Sequence, residues 1–444
     1  MMKWVAGSVL VLLAGVLGWL AVAPPALLRV GSGYAAKIVC SNVFLAGRAP
    51  DEVLATDVQA PGHPLLRLMR VTVDRDAGRV HAALLGFIAG SDAVHRPGLG
   101  CAVVPDGRIA EAASIRLPDA AAPALPVKRA AWPEGDIVSA DPAFAALVAD
   151  PALTGPGMRA VVVVHKGRIA AEAYGPGFTE AVPLLGWSMA KTINAVLVGR
   201  LVNDGRLSLK SRALLPEWQG DRRSLIRLSD LLAMRSGLAF NESYGGVADV
   251  TRMLYLEPDM ARFAALSPLE ISPGMRFGYS SGTSMLIARI WMNRFADPIA
   301  ALAYPRDALF SPLGMASAVM EADAAGTLVG SSYVYATARD WARFALFLLR
   351  DGVWETRLLP EGFVRGMGEA GVAGAPYSRL QTWLSTPKDG PAMPAGSFFL
   401  RGHDGQSIAI VPALDLAVIR LGLTPRAQGY EATGLVEAAI RAAR

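Results

Sequence analysis

Gly186-Trp187-Ser188-Met189-Ala190-Lys191-Thr192-Ile193-Asn194-Ala195-Val196-Leu197-Val198-Gly199-Arg200-Leu201 is the stretch that decides how this chain is read. It contains an S-x-x-K tetrad, Ser188 to Lys191, at the start of a predicted helix. Residues three apart share one helical face, so the hydroxyl and the amine can touch. A hydroxyl is a poor nucleophile until a neighbour takes its proton, and an adjacent amine can do that. Ser188 would also sit by the helix N-terminus, where free backbone N–H groups favour developing negative charge. The helix continues as a mostly apolar run and stops at Asn203-Asp204-Gly205, with Gly205 suited to the left-handed position. A solvated serine and lysine on a surface helix would carry the same tetrad, so its surroundings must decide. A buried helix that opens on a polar pair suits an active site, and lysine is scarce here, at seven of 43 basic residues.

The chain has 444 residues, enough for one large domain or two ordinary ones. With 52% hydrophobic and 18% charged residues it is globular rather than disordered. The net charge of +5 comes mostly from scattered arginines, without a dense basic run or interleaved aromatics, so nucleic acid is not expected as a partner. The five histidines (63, 81, 95, 165, 403) are dispersed and H-E-x-x-H is absent, so neither a metal nor another cofactor is expected.

At the N-terminus, Lys3 is followed by an uncharged apolar stretch of 19 residues, 4–22. That length can cross a bilayer core of roughly 30 Å. Residues 1–28 are therefore expected to be a transmembrane anchor or a signal segment. Pro24 and Pro25 after Ala21-Val22-Ala23 argue against cleavage. The expected placement is the inner membrane, single-pass, with the catalytic body on the periplasmic or extracytoplasmic side and the membrane as a partner. An oxidising compartment would permit a disulfide between Cys40 and Cys101, the only cysteines.

Residues 29–125 read as a small β-rich region. Val71-Thr72-Val73 leads to a turn at Asp76-Ala77-Gly78, residues 80–87 resume, and Pro105-Asp106-Gly107 makes another turn. The Ala- and Pro-rich run 119–126 is a linker candidate. Residues 126–444 form the expected catalytic domain. There, 160–165 is an apolar strand, Lys166-Gly167 turns and 169–174 returns; 407–411 and 416–421 make a second hairpin. Thr337-Ala338-Arg339-Asp340 reads as a capping box, and a final helix covers about 430–444. Strands at both ends with helices between imply an α+β fold, an antiparallel sheet closed by distant segments and flanked by helices.

Two further polar clusters complete the pattern, Tyr279-Ser280-Ser281 before an apolar helix and His403-Asp404-Gly405-Gln406 before a strand. With Trp187 to Lys191, Asp230 to Leu238, Phe277 to Gly282, Pro312 to Met315, Thr337 to Phe344 and Gly402 to Gln406, the chain resembles the serine beta-lactamase and penicillin-binding protein superfamily. The similarity is to its branch of 6-aminohexanoate-dimer (nylon-oligomer) hydrolases and esterases, from about Trp132 to the C-terminus.

The resemblance implies a beta-lactamase/transpeptidase-like fold and roles for individual residues. Ser188 matches the acylated nucleophile, Lys191 the amine that handles its proton, and Tyr279 the second base. The backbone N–H groups of Ser188 and Gln406 match the oxyanion hole. Ser281, His403, Asp404, Gly405 and Trp187 are expected to bind substrate, with Glu242 and Tyr244 bordering the pocket. Relatives acting on penicillins or D-alanyl peptides usually carry Lys-Thr-Gly where this chain has His403-Asp404-Gly405, so the fixed positive charge for a substrate carboxylate is missing. The expected substrate is a small ester or amide without that carboxylate. Alternatives are a catalytically silent envelope scaffold and a penicillin-recognising beta-lactamase or carboxypeptidase. Gly278-Tyr279-Ser280-Ser281-Gly282 also matches the G-x-S-x-G elbow, which would make Ser280 the nucleophile, but that motif requires a buried strand before it.

Overall fold

The structure is a computed structural model that describes residues 15, 18–20, 22–118, 129–386 and 393–444. Helix α1, Ala26–Phe44, is followed by four antiparallel strands, β1 (Met69–Asp74), β2 (Arg79–Leu84), β3 (Ile88–Arg96) and β4 (Gly100–Val103), paired in sequence order. Helix α2, Pro142–Ala149, leads into the hairpin β5 (Met158–His165) and β6 (Arg168–Tyr174). The middle of the chain is helical: α3 (Ala190–Asn203), α4 (Asp249–Leu256), α5 (Ser281–Met292) and α6 (Ala338–Leu349). Strands β7 (Trp383–Leu384), β8 (Phe398–Arg401), β9 (Ser407–Val411) and β10 (Leu416–Gly422) precede the last helix, α7 (Thr433–Ala443).

The main sheet has the order β7-β8-β9-β10-β5-β6, antiparallel throughout, so its centre pairs segments more than 240 residues apart: Leu416 faces His165 and Leu421 faces Ala160. This is the closure expected from strands at both ends of the chain. Successive strand residues point to opposite faces, and both faces are covered. Val161, Val163, Ala409, Val411 and Val418 pack with Phe144, Val148, Leu435 and Ile440 of α2 and α7. Ala160, Val162, Val164, Ile408, Ile410 and Ile419 join the larger core with Ile193, Trp341 and Phe344 of α3 and α6. Burial on both sides explains the unbroken apolar run 160–164, which carries no polar alternation.

Three expectations need correction or delimitation. The apolar stretch 4–22 falls mostly outside the described residues, and among the described residues no helix is long and apolar enough to cross a membrane. The expected transmembrane helix and the single-pass inner-membrane placement are therefore not what the structure gives. The long helix at this end, α1, is instead packed into protein, with Lys37, Ser41 and Asn42 buried. Residues 26–44 are thus helical within the stretch expected to be β-rich, whereas β1–β4 supply the strands expected there. The linker candidate 119–126 lies outside the described residues.

The N-terminal segment shares the large core: Val39, Cys40, Ala82 and Cys101 belong to the same apolar cluster as Ile193 and Trp341. Polar ties reinforce it. The Lys37 ammonium pairs with the Glu321 carboxylate, which also accepts the Ser41 hydroxyl at 2.8 Å and the Cys101 N–H at 2.6 Å. Arg159 of β5 donates two hydrogen bonds to Asp57, at 2.9 and 2.6 Å. Cys40 and Cys101 are joined as a disulfide that ties α1 to β4. The cap at Thr337 forms by half: its hydroxyl accepts the Asp340 N–H at 3.2 Å, while the Asp340 carboxylate turns to Ser317.

Candidate active site

Ser188 sits in a single 3-10 turn, residues 187–189, that runs directly into α3. Trp187, just before it, has φ 47° in the left-handed region. For a bulky side chain that conformation costs of order 1–3 kcal/mol and persists only where the surroundings impose it. The turn projects Ser188 outward while Trp187 stays buried. Lys191, three residues on, is 1% exposed. Its Nζ donates to Ser188 Oγ at 3.0 Å, to Ser281 Oγ at 3.0 Å and to the Ser331 carbonyl at 2.8 Å.

Helix α5 brings the second cluster. Ser280 is its N-cap and accepts the Thr283 N–H at 3.0 Å, which leaves Tyr279 on the approach and Ser281 in the first turn. The Lys191 Nζ lies 4.9 Å from the Tyr279 ring centre. Polar ties through the core hold the two helices in place. Asn194 donates to the Ser284 carbonyl at 2.8 Å and accepts the Trp291 indole N–H at 2.7 Å. Gln381 accepts the Ser284 hydroxyl at 2.8 Å, and its own carbonyl accepts the Thr192 hydroxyl at 2.9 Å.

Strand β8 closes the third side. At Gly402 the backbone approaches the Gly186 carbonyl so closely that an added Cβ would stand 2.3 Å from that oxygen. Asp404 (φ 56°) and Gly405 (φ 81°) then take the left-handed region in succession and turn the chain into β9. At Gly405 a Cβ would also meet the Arg420 guanidinium at 2.8 Å. The Gln406 side chain points inward, donating to the Gly422 carbonyl at 2.5 Å and accepting the Gly422 N–H at 2.8 Å, so what Gln406 can offer the site is its backbone. His403 stacks on Tyr244 at 4.8 Å between ring centres, meets the Trp187 ring edge-on at 5.6 Å, and has its Nε2 3.4 Å from the Asp404 carboxylate.

The electrostatics push Lys191 and Tyr279 in opposite directions. Burial strips solvent from Lys191 and pushes its amine down to about 8, with Glu242 acting against that shift. Burial pushes the Tyr279 hydroxyl the other way, upward; the nearby Glu242 charge adds to this and hydrogen bonding with Ser188 opposes it. Tyr279 is thus held as a neutral phenol, while the amine is poised to exchange its proton near neutral pH. Burial also raises the Asp404 carboxyl, with His403 opposing.

The structure brings Ser188, Lys191, Tyr279 and Ser281 together, with Trp187, Tyr244 and His403 as a ring cluster beside them. Ser281 lies deeper than a substrate contact would: it is fully buried and links Lys191 to Glu242, whose carboxylate accepts the Ser281 hydroxyl at 2.5 Å and backbone N–H at 2.7 Å. Ser280 is buried as a helix cap, and the segment before it, residues 272–279, is not a strand, so the elbow reading lacks its strand. The sequence reading missed the Ser331 carbonyl, which carries no side-chain signal. It also missed Tyr377 and Trp383, whose rings flank Tyr279 at 5.6 and 5.1 Å and whose signal was an aromatic pair six residues apart. Among the described residues no group of three or more His, Cys, Asp or Glu side chains could hold a metal ion.

A family model described as Beta-lactamase matches residues 145–432. Among solved structures, the chain is similar to a provisionally named 6-aminohexanoate-dimer hydrolase from Bacillus anthracis, with TM-score 0.55 and 22% identity over 65% of this chain and 79% of that one. It is also similar to a penicillin binding protein from Bacillus halodurans, with TM-score 0.52 and 17% identity over 67% and 98%. A third is EstCE1, a hydrolase with promiscuous acyltransferase activity, with TM-score 0.52 and 14% identity over 68% and 97%. At these identities the likeness is one of fold. No curated protein matches the chain.

Proposed function

The chain belongs to the beta-lactamase family, and on that premise we propose that it is a serine hydrolase that cleaves a small ester or amide through an acyl-enzyme at Ser188. The observation that carries this reading is the buried Lys191 amine 3.0 Å from the Ser188 hydroxyl, pushed down to about 8. An ammonium has three donors. When Lys191 loses one proton, the other two N–H groups keep the Ser281 hydroxyl and the Ser331 carbonyl, and the freed lone pair faces Ser188. Lys191 rather than Tyr279 is then the acylation base, because burial keeps the Tyr279 phenol protonated.

In the first half-reaction, Ser188 Oγ attacks the substrate carbonyl while Lys191 takes its proton. The backbone N–H groups of Ser188 and Gln406 receive the developing oxyanion; one such donor is typically worth about 3 kcal/mol. The leaving alcohol or amine departs with the proton returned from Lys191, while the neutral Tyr279 hydroxyl donates a hydrogen bond to it without losing its own proton. Water then repeats the sequence on the acyl group and frees Ser188. His403 and Asp404 offer no fixed positive charge for a substrate carboxylate, which supports neutral esters or amides over penicillins.

The test is hydrolysis of nitrophenyl esters, aminohexanoate oligomers and nitrocefin by wild type and Ser188→Ala, with fluorophosphonate labelling of the folded protein. Ester or oligomer turnover and labelling, both lost in Ser188→Ala, are expected. Activity that survives in Ser188→Ala but disappears in Ser280→Ala would transfer the nucleophile to the N-cap of α5. A folded protein that neither labels nor turns over any substrate would leave a silent scaffold.

A further inference from the structure

An open hollow of about 540 Å³ lies beside the rings of Trp187, Tyr244 and His403, and Ser188, Lys191 and Tyr279 are not in its lining. Its size is that of a small-molecule pocket. The N-terminal segment lines one part of it, through Leu28 and Tyr34 of α1 and through Leu65 and Leu66 of the turn that follows. The catalytic body lines the rest with Trp187, Tyr244 and His403, the ring cluster that neighbours Ser188. Leu28 and Leu65 are only partly buried, and both line the hollow. The ionisable lining groups are few. His63 and Arg426 are exposed positions, and Asp404 lies beside His403 with its carboxyl raised by burial. A hollow walled mainly by leucines and rings, with Asp404 the largely buried carboxyl in its lining, favours an aliphatic ligand, because apolar surface gains most on leaving water.

We propose that this hollow is the acyl subsite: it holds a medium-length, unbranched aliphatic chain attached to the carbonyl that Ser188 attacks. The proposal rests on the serine-hydrolase reading and names its substrate class. Trp187 is the chain neighbour of Ser188, and His403 lies three residues from Gln406. Neither Ser188 nor Gln406 lines the hollow itself; the aliphatic chain reaches it past the Trp187 and His403 rings, which meet at 5.6 Å, and the N-terminal segment acts as a specificity element for the hydrolase.

Two measurements test this, one independent of turnover. With 4-nitrophenyl esters from acetate to octanoate, kcat/KM should rise by up to about fourfold for each methylene that enters the hollow, the factor that about 0.8 kcal/mol gives. Leu28→Trp and Leu65→Trp fill the hollow from different elements, and each should cut the octanoate-to-acetate ratio tenfold or more. A thermal unfolding scan of each variant identifies one that fails to fold. In the second measurement, an anthroyloxy-labelled fatty acid is titrated into Ser188→Ala protein and displaced with decanoate. Saturable binding is expected, weakened at least tenfold in Ser188→Ala/Leu65→Trp. Absence of saturable binding overturns the acyl subsite even if the acetate ester is hydrolysed. Saturable binding without turnover of any ester by wild type supports the apolar-chain site and overturns the hydrolase reading instead.

Discussion

Glu242 holds Ser281 twice, through its hydroxyl at 2.5 Å and its backbone N–H at 2.7 Å, and Ser281 in turn accepts a hydrogen bond from Lys191. One negative charge therefore stands a single hydroxyl away from the amine that touches Ser188. That charge opposes the downward push that burial exerts on Lys191. Glu242→Gln keeps the shape and removes the charge, so the Lys191 pKa should fall further and the acidic limb of the pH–rate profile should move to lower pH. A limb that stays in place in Glu242→Gln would remove Glu242 from the proton network.

Wild-type activity should follow the protonation of Lys191. Only the neutral amine can accept the Ser188 proton, and its fraction grows as pH rises through about 8. Below that point kcat/KM should climb about tenfold per pH unit, and above it level off. Lys191→Met should lower kcat by roughly 10²- to 10⁴-fold and erase the limb. The same group affects stability with a defined sign. An unfolded lysine titrates near 10.4, so between about 8 and that value the unfolded chain binds more protons than the folded one. Across that window the contribution of Lys191 to stability rises with pH. A flat profile between pH 6 and 9 would rule out Lys191 as the base.

The ion pair of Lys37 and Glu321 is sealed from solvent, with both side chains 2% exposed or less. Removing one partner strands the other charge, at a cost of about 3–5 kcal/mol. Glu321→Gln alone should therefore lower the urea midpoint sharply, and Lys37→Met added to it should recover part of the loss. A double variant no better than Glu321→Gln alone would show that the pair is not what couples α1 to the body.

The Cys40–Cys101 disulfide closes a loop with a sequence separation of 61. On the chain-entropy account, such a link stabilises the fold by about 4 kcal/mol. The Cys40→Ala/Cys101→Ala protein should unfold at correspondingly lower denaturant than wild type, and reductant should lower the wild-type midpoint but leave the variant unchanged.

The parts of the fold legible in the sequence were those where one residue pattern has one physical solution. The run 160–165 with its Lys166-Gly167 turn became β5 and β6, and Gly205 at φ 69° ends α3 where the Asn203-Asp204-Gly205 stop stood. Ser188 and Lys191 were legible because a helix fixes what lies three residues away. Helix α1 was not, because it is buried nearly all round: Ser32, Gly33, Ala35, Ala36 and Lys37 are all buried, and no polar face marks the period. The Glu242 contact to Ser281 was equally hidden, since a loop residue 39 positions away leaves no spacing to read. The anchoring of Lys191 by the Ser331 carbonyl depends on main chain that any residue would supply.

The approach of Gly402 to the Gly186 carbonyl joins the Ser188 turn to the end of β8 through backbone alone. The distance between those two pieces is therefore independent of the side chains that follow at 403 and 404. Position 403 can therefore be changed with that approach left standing, whereas position 404 keeps to residues that accept φ 56°, which a β-branched side chain does not. A change of residue at 403 would thus alter the ring that stacks on Tyr244 without moving the glycine contact beneath it.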